Sequence, residues 1–541
     1  MKKILIILIL AVVSTACSEE KESADLLVFN AEVYTVDNNF SKAEAFVVKD
    51  GKFLAIGSSE ELQEKYTYAE TFNAEGKAVF PGFIDAHAHF YRLGLQQNRV
   101  DLTGTESFED VVTRIVEFQQ KTGSDFITGR GWDQNDWKEK EFPVKDTLDR
   151  LFPDTPIAIT RIDGHALLAN QAALDAAGIT AETPFEGGDI EQKNGRLTGI
   201  IVDNPMSLVT NAQPEPTTEE QTAALLAAQD ICFEYGLTTV DDAGIDKSTI
   251  ELIDKLQEQG DLKIRIYAMI SNTEENLDFF LKKGLYKTER LNVRSFKFYG
   301  DGALGSRGAA LKEEYTDRPA HFGALLSPIE DFEETARKIA GSEFQLNTHA
   351  IGDSANSLVL KTYAELLSES EDRRWRVEHS QVIDEEDFKY FSKNIIPSVQ
   401  PTHATSDMYW AEERLGEERL EGAYAYKKLL DQAGIIALGT DFPVEEVSPF
   451  LTFYAAVTRQ DTENYPEGGF MAKEALSREE TLRGMTIWAA FSNFEEDEKG
   501  SIEKGKFADF IVLDKDIMKV EAEKIPKIKV LGTYVNGEKV Y

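Results

Sequence analysis

Short apolar runs of strand length alternate with longer amphipathic stretches through most of the chain, the pattern of repeated β/α units around a parallel sheet. Eight such runs occur, at residues 80–89, 237–243, 262–270, 293–301, 344–350, 375–381, 395–403 and 435–442. Eight is the number that closes a β/α barrel. The predicted fold class is therefore α/β, a (β/α)8 TIM barrel spanning residues 80–489. The interval between the first two runs is too long for one crossover and predicts an inserted subdomain at about 91–218, with strand-like pieces in Phe126-Ile127-Thr128 and Ile157-Ala158-Ile159. Residues 25–79 read as short β runs in a small antiparallel sheet, and residues 490–541 repeat that style, with the turn Asn536-Gly537 between runs. Each end is too short to fold alone, so the two predict one composite β-sandwich.

The strongest chemical signal lies in the first run, Pro81-Gly82-Phe83-Ile84-Asp85-Ala86-His87-Ala88-His89. Residues two apart on a strand share a face, so His87 and His89 can grip one metal ion. Other runs also end in ligand types: His349 in Asn347-Thr348-His349-Ala350, His379 in Val377-Glu378-His379-Ser380, and Asp441 in Gly439-Thr440-Asp441-Phe442. The chain holds seven histidines, and four of them fall at these strand ends, where a barrel places its chemistry. Lys297 lies between Phe296 and Phe298; alternation sends the two rings outward against helices and the lysine inward. An ammonium beside a divalent cation is disfavoured by repulsion and desolvation. Carboxylation by CO2 makes Lys297 an anionic bridge between two metals; the alternative is a free lysine, or one paired with Asp301, at a site for one metal. Imidazole-rich ligation points to Zn2+.

In order and strand assignment, His87-x-His89, Lys297, His349, His379 and Asp441 resemble the amidohydrolase superfamily. The closer resemblance is to the YtcJ-like group, amidohydrolase family 3, carried by Gly129-Arg130-Gly131-Trp132-Asp133, Asp163-Gly164-His165-Ala166-Leu167, the stretch from Gly300 to Ser306, Val399-Gln400-Pro401-Thr402-His403, and the stretch from Gly500 to Asp509. It covers nearly the whole chain beyond the first residues. It implies a β-sandwich from both termini, a metal-bearing barrel, hydrolysis of C–N bonds in amide-like small molecules, and a proton-shuttle role for Asp441; a plain ligand role is the alternative.

Weaker candidates surround this core. His165, in the insert, is placed to hold a substrate carbonyl or oxyanion, or is a surface histidine. His403 ends the seventh run on the same rim, a substrate contact. Trp132 and Trp137 bracket a polar loop and either wall a pocket or pack within the insert. Arg161 and Arg307 either recognise a substrate carboxylate or pair with acidic neighbours. His321 receives no role. Two other readings stand beside the amide hydrolase: a mononuclear deaminase of a heterocycle, disfavoured by Lys297 and by Gly352 three residues after His349, and a non-catalytic binding lipoprotein.

Composition narrows the partners. A formal charge of −38 argues against nucleic acid or an anionic membrane surface, because phosphate neutralisation needs clustered Lys and Arg. Lys2 and Lys3, an apolar run at 4–13 and Ser14-Thr15-Ala16-Cys17 have the layout of an export signal at 1–16, too short to span a bilayer. The small residues before Cys17 resemble a bacterial lipobox, which makes Cys17 a lipid attachment point on a polar tether at 17–24. The expectation is export and anchoring in the cell envelope, at the outer membrane, with a homodimer left open. Cys232 is the only other cysteine, so with Cys17 lipidated no intramolecular disulfide forms.

Overall fold

The computed structural model describes residues 21–541 apart from 98, 163, 165, 186–187 and 368–370; Cys17 and His165 lie outside the described residues. Each of the eight apolar runs forms a strand of one parallel sheet. In chain order they are β1 (Phe83–Ala88), β2 (Leu237–Ile245), β3 (Arg265–Ser271), β4 (Leu291–Tyr299), β5 (Gln345–Ala350), β6 (Trp375–His379), β7 (Ile395–Val399) and β8 (Ala437–Leu438), neighbours in sequence being neighbours in space. The gap between β8 and β1 is bridged just past β8, where Asp441 N donates to His87 O and His89 N to Phe442 O, both at 2.8 Å. Gly439 makes this approach feasible, since a Cβ there would lie 2.5 Å from His87 N.

The two-residue period of β4 shows how the barrel is packed. Phe296 and Phe298 face out, their ring centroids 5.0 Å from Phe344 and 5.1 Å from Phe332, and Phe332 belongs to helix Ile329–Ala340, which buries Phe332, Ala336 and Ile339 at helical spacing. Lys297 between them points into the barrel and is 1% exposed.

The seventh run is shorter than its apolar pattern. Strand β7 stops at Val399, and Pro401 opens helix Pro401–Asp407; proline cannot donate to a ladder but suits the first turn of a helix. His403 therefore reaches the rim from a helix, not a strand end.

The insert is a six-stranded sheet of Val100–Asp101, Ile127–Trp132, Ile157–Arg161, Ala166–Ala169, Gly188–Lys193 and Arg196–Asp203. Helix Phe108–Thr122 covers it through Val111 and Ile115, in one apolar cluster with Trp132 and Trp137.

The chain ends join in two further sheets. Phe510–Leu513 pairs antiparallel with Ala78–Pro81, and Val530–Val535 continues that sheet into a hairpin whose turn residues, Asn536 and Gly537, have φ of 53° and 76°, the left-handed pair a tight hairpin requires. The first stretch does not make one antiparallel sheet. Glu22–Phe29 pairs antiparallel with Ala45–Lys49 but parallel with Tyr66–Asn73, while Glu32–Tyr34 and Ala78–Pro81 join the C-terminal strands. Splitting the strands lets Val28, Phe46 and Phe53 from one sheet meet Val79, Phe510 and Tyr534 from the other in a shared core. Among the described residues no helix is long and apolar enough to cross a membrane.

Candidate metal centre

The barrel brings His87, His89, Lys297, His349, His379 and Asp441 to one end, and helix Pro401–Asp407 adds His403. Asp441 is the hub. Its Oδ1 lies 3.2 Å from His89 Nε2 and 3.7 Å from His87 Nε2, and its Oδ2 lies 3.5 Å from His403 Nε2. The rings of His379 and His403 stack at 5.8 Å, and the His349 ring sits 4.5 Å from that of His379. Lys297 Nζ lies 3.0 Å from His87 Nε2. Two groups, His87 with His89 and Asp441, and His379 with His403 and Asp441, each offer three ligand atoms within 4.8 Å of one another.

Local backbone geometry makes the convergence possible. Along β6, strict alternation would turn His379 out of the barrel wherever Glu378 points in. Positive φ at His379 (70°) and Ser380 (43°) bends the strand end so that both side chains are buried in the barrel. Asp441 has φ of 64°. Non-glycine residues held in this region cost about 1–3 kcal/mol each and concentrate at functional sites.

The donor set fits a divalent cation. His349 Nε2, His403 Nε2 and Asp441 Oδ1 are buried without a hydrogen-bond partner, a costly arrangement for three polar atoms in one place unless a cation shares them. Protonation states agree. Burial, then Lys297, lowers His87 to about 4; burial, Lys297 and His87 lower His349 to about 3; burial and its histidine neighbours hold His379 well below the usual imidazole range. Burial alone would raise the Asp441 carboxyl, but His89, His87, His379 and His403, in the acid range where the rings take protons, outweigh it and bring it well below the carboxylate range. Neutral imidazoles around an ionised carboxylate are what metal ligation needs. Burial pulls Lys297 down to about 8.

The weaker candidates fall in different places. Trp132 is fully buried in the core of the insert and its indole N–H donates to Ile159 O at 3.0 Å, so it packs and leaves no face for a substrate. Arg307 makes two bonds to Asp317, Nε to Oδ1 at 3.1 Å and Nη2 to Oδ2 at 2.7 Å, and Arg161 pairs with Asp133; in so acidic a chain both guanidiniums have met carboxylates. Asp301 does not pair with Lys297. Its oxygens accept the backbone N–H groups of Ala310, Ile351 and Gly352 at 2.8–2.9 Å, tying the loop after β4 to the one after β5. His321 bonds the Arg307 carbonyl at 2.8 Å, and Cys232 is buried and free.

Sequence reading missed the residues that hold the ligands. Asp85 accepts from Thr440 N and Thr440 Oγ1 at 3.0 and 2.7 Å, fixing the end of β8 against β1. Glu378 and Arg376 lie directly under His87. Their signal was available: two charged residues at i and i+2 in the apolar strand Trp375-Arg376-Val377-Glu378-His379 can only face inward.

Known proteins are similar to this chain over nearly its whole length. The chain is 31% identical over 520 residues to YtcJ of Bacillus subtilis, covering 94% of this chain and 98% of that one. It is 26% identical over 540 residues to the N-substituted formamide deformylase of Arthrobacter pascens, covering 95% and 97%. The crystal structure of an uncharacterized metal-dependent hydrolase from Pyrococcus horikoshii superposes with a TM-score of 0.77 at 27% identity, covering 92% of this chain and 99% of that one. The model of an amidohydrolase family matches residues 70–541, a span that contains every candidate ligand described above, and the chain belongs to that family, amidohydrolase family 3, as a YtcJ-like metal-dependent hydrolase.

Proposed function

We propose that the protein hydrolyses the C–N bond of a small amide, with an N-formyl or N-acyl amine as the first class to test. The observation that carries the reading is the convergence of unpartnered His349 Nε2, His403 Nε2 and Asp441 Oδ1 at the end of the barrel. The activity printed for the Arthrobacter pascens relative supports the substrate class. Zn2+ is the cation these ligands favour, and when bound it polarises a carbonyl and brings a water to ionise near neutrality.

The side chains supply the rest. His87 and His89 take one side of the site and His349 and His379 the other, with Asp441 between them. Asp441, ionised and with Oδ1 unpartnered, accepts the proton of the attacking water and returns it to the leaving nitrogen, so that an amine departs in place of an amide anion. His403 Nε2 faces the same carboxylate and contacts the substrate carbonyl; His165 is assigned the oxyanion. Carboxylation of Lys297 resolves a conflict of geometry, because Nζ at 3.0 Å from His87 Nε2 occupies the lone pair a cation needs. A carbamate there gives room for two ions, and a free amine gives room for one.

The test is amine release from a panel of N-formyl and N-acyl amines by the metal-replete protein, before and after chelation. We expect turnover of at least one, lost with chelator and restored by Zn2+; turnover indifferent to chelation and metal return overturns the reading.

We also propose that Cys17 carries a lipid that holds the protein at the cell envelope, supported by the apolar run at 4–13 and the small residues before it. Cys17→Ala is expected to move the protein from the membrane fraction to the soluble one; an unchanged distribution refutes the anchor.

A further inference from the structure

The imidazoles of the site differ in what holds the nitrogen turned away from it. His89 Nδ1 bonds the Ala243 carbonyl at 2.9 Å and His379 Nδ1 bonds Gln400 Oε1 at 2.8 Å, both neutral oxygens. His87 Nδ1 instead meets a carboxylate, Glu378 Oε2, at 2.5 Å, with both side chains fully buried. A buried carboxylate needs compensation, and Arg376 provides it.

Arg376 directs its guanidinium at the layer beneath the site. Nε and Nη2 grip the two Glu378 oxygens at 2.7 and 3.1 Å. Nη1 reaches Asp241 Oδ2 at 2.7 Å and Asn493 Oδ1 at 3.2 Å, and Nη2 also donates to Ser398 Oγ at 3.0 Å and to the Ala86 carbonyl. Asn493 Nδ2 closes the ring by donating to Asp241 Oδ1 at 2.6 Å. These groups come from β1, β2, β6, β7 and the segment after helix Ile487–Ser492. Glu378 therefore has one orientation, set by four strands of the barrel.

We propose that Glu378, locked by Arg376, is a positioning residue that fixes the proton of His87 on Nδ1, leaves Nε2 bare toward the metal, and makes His87 a stronger donor than His89 or His379. An ionised carboxylate only accepts, so Nδ1 must carry the proton. The other nitrogen agrees, because Lys297 Nζ lies 3.0 Å from Nε2 and an ammonium only donates. A carboxylate partner raises the basicity of a ligating imidazole more than the neutral oxygens behind His89 and His379 do. Arg376 acts through Glu378, and Asp241 and Asn493 act through Arg376.

The inference rests on the metal-dependent reading of the site, and two measurements separate them. The first needs no variant: nitrogen-15 histidine NMR of the metal-free wild-type protein is expected to show His87 as the Nδ1–H tautomer, and an Nε2–H tautomer overturns the proposal whatever the site binds. The second is Zn2+ affinity by chelator competition in wild type, Glu378→Gln and Gln400→Ala, with the visible spectrum of the Co2+-loaded proteins. Glu378→Gln keeps the shape and removes the charge. It should weaken Zn2+ about 10–100-fold and shift the Co2+ bands, more than Gln400→Ala does, and Glu378→Asp should recover part of the loss. Equal losses in Glu378→Gln and Gln400→Ala, or wild-type affinity in Glu378→Gln, overturn the proposal. A wild-type protein that binds no Zn2+ refutes the metal reading instead and leaves the tautomer measurement decisive for His87.

Discussion

Lys297 Nζ and His87 Nε2 stand 3.0 Å apart, both side chains buried at the centre of the barrel end. A lysine that close competes with a cation for the imidazole lone pair, so loading the site must displace the amine or convert it. We expect protein loaded with Zn2+ in carbon-13 bicarbonate to show a carbamate carbonyl resonance that Lys297→Met lacks. No resonance in metal-replete wild type means a free lysine and a site for one ion.

Asp441 touches both halves of the site, with Oδ1 3.2 Å from His89 Nε2 and Oδ2 3.5 Å from His403 Nε2. Asp441→Asn preserves shape and one coordinating oxygen but cannot take a proton. The expected result is kcat lower by about 10²–10⁴-fold with KM changed little, measured alongside metal content. A fall in activity that only tracks lost metal would assign Asp441 to ligation alone.

Asp509, in the C-terminal motif, is structural. It accepts from Arg265 Nε at 2.6 Å and Nη2 at 3.0 Å and from Asn536 N at 2.9 Å, locking the C-terminal sheet to β3. Asp509→Ala leaves a buried guanidinium uncompensated and is expected to destabilise by about 3–5 kcal/mol, read by denaturant unfolding, while the Zn2+ bound per folded chain stays unchanged.

Glu32 joins the two chain ends, bonding Lys42 at 2.8 Å and Lys519 of the C-terminal stretch. Burial would raise its carboxyl, but the two ammoniums outweigh this and lower it from 4.5 to about 2. The folded state thus binds this proton less tightly than the unfolded one, so the stabilisation is complete above pH 4.5 and is lost as pH falls through about 2. Melting temperature followed across that window should fall less steeply in Glu32→Gln than in wild type, with a small difference because the pair is partly exposed.

Much of this protein is decided locally, and those parts were legible in its sequence. Apolar runs at the strand period announced eight barrel strands, and His87, His89, Lys297, His349, His379 and Asp441 declared themselves because the fold puts strand ends together and few other histidines exist. Pro401 marked where β7 must stop, a signal the apolar pattern concealed, and the parallel pairing of Glu22–Phe29 with Tyr66–Asn73 left no local trace. What only the tertiary structure decided are partnerships between residues far apart in the chain. The hydrogen bond from His87 to Glu378 spans 291 positions, and periodicity, which says which way a side chain points, does not say what it meets there. The inward turn of His379 needed a positive φ that no residue type there advertises, and whether Trp132 and Arg307 faced a substrate or their own chain depended on Ile159 and Asp317. Sequence named the candidate ligands by type and spacing; packing of the whole barrel decided their second partners, because a buried polar group takes whichever acceptor the fold delivers.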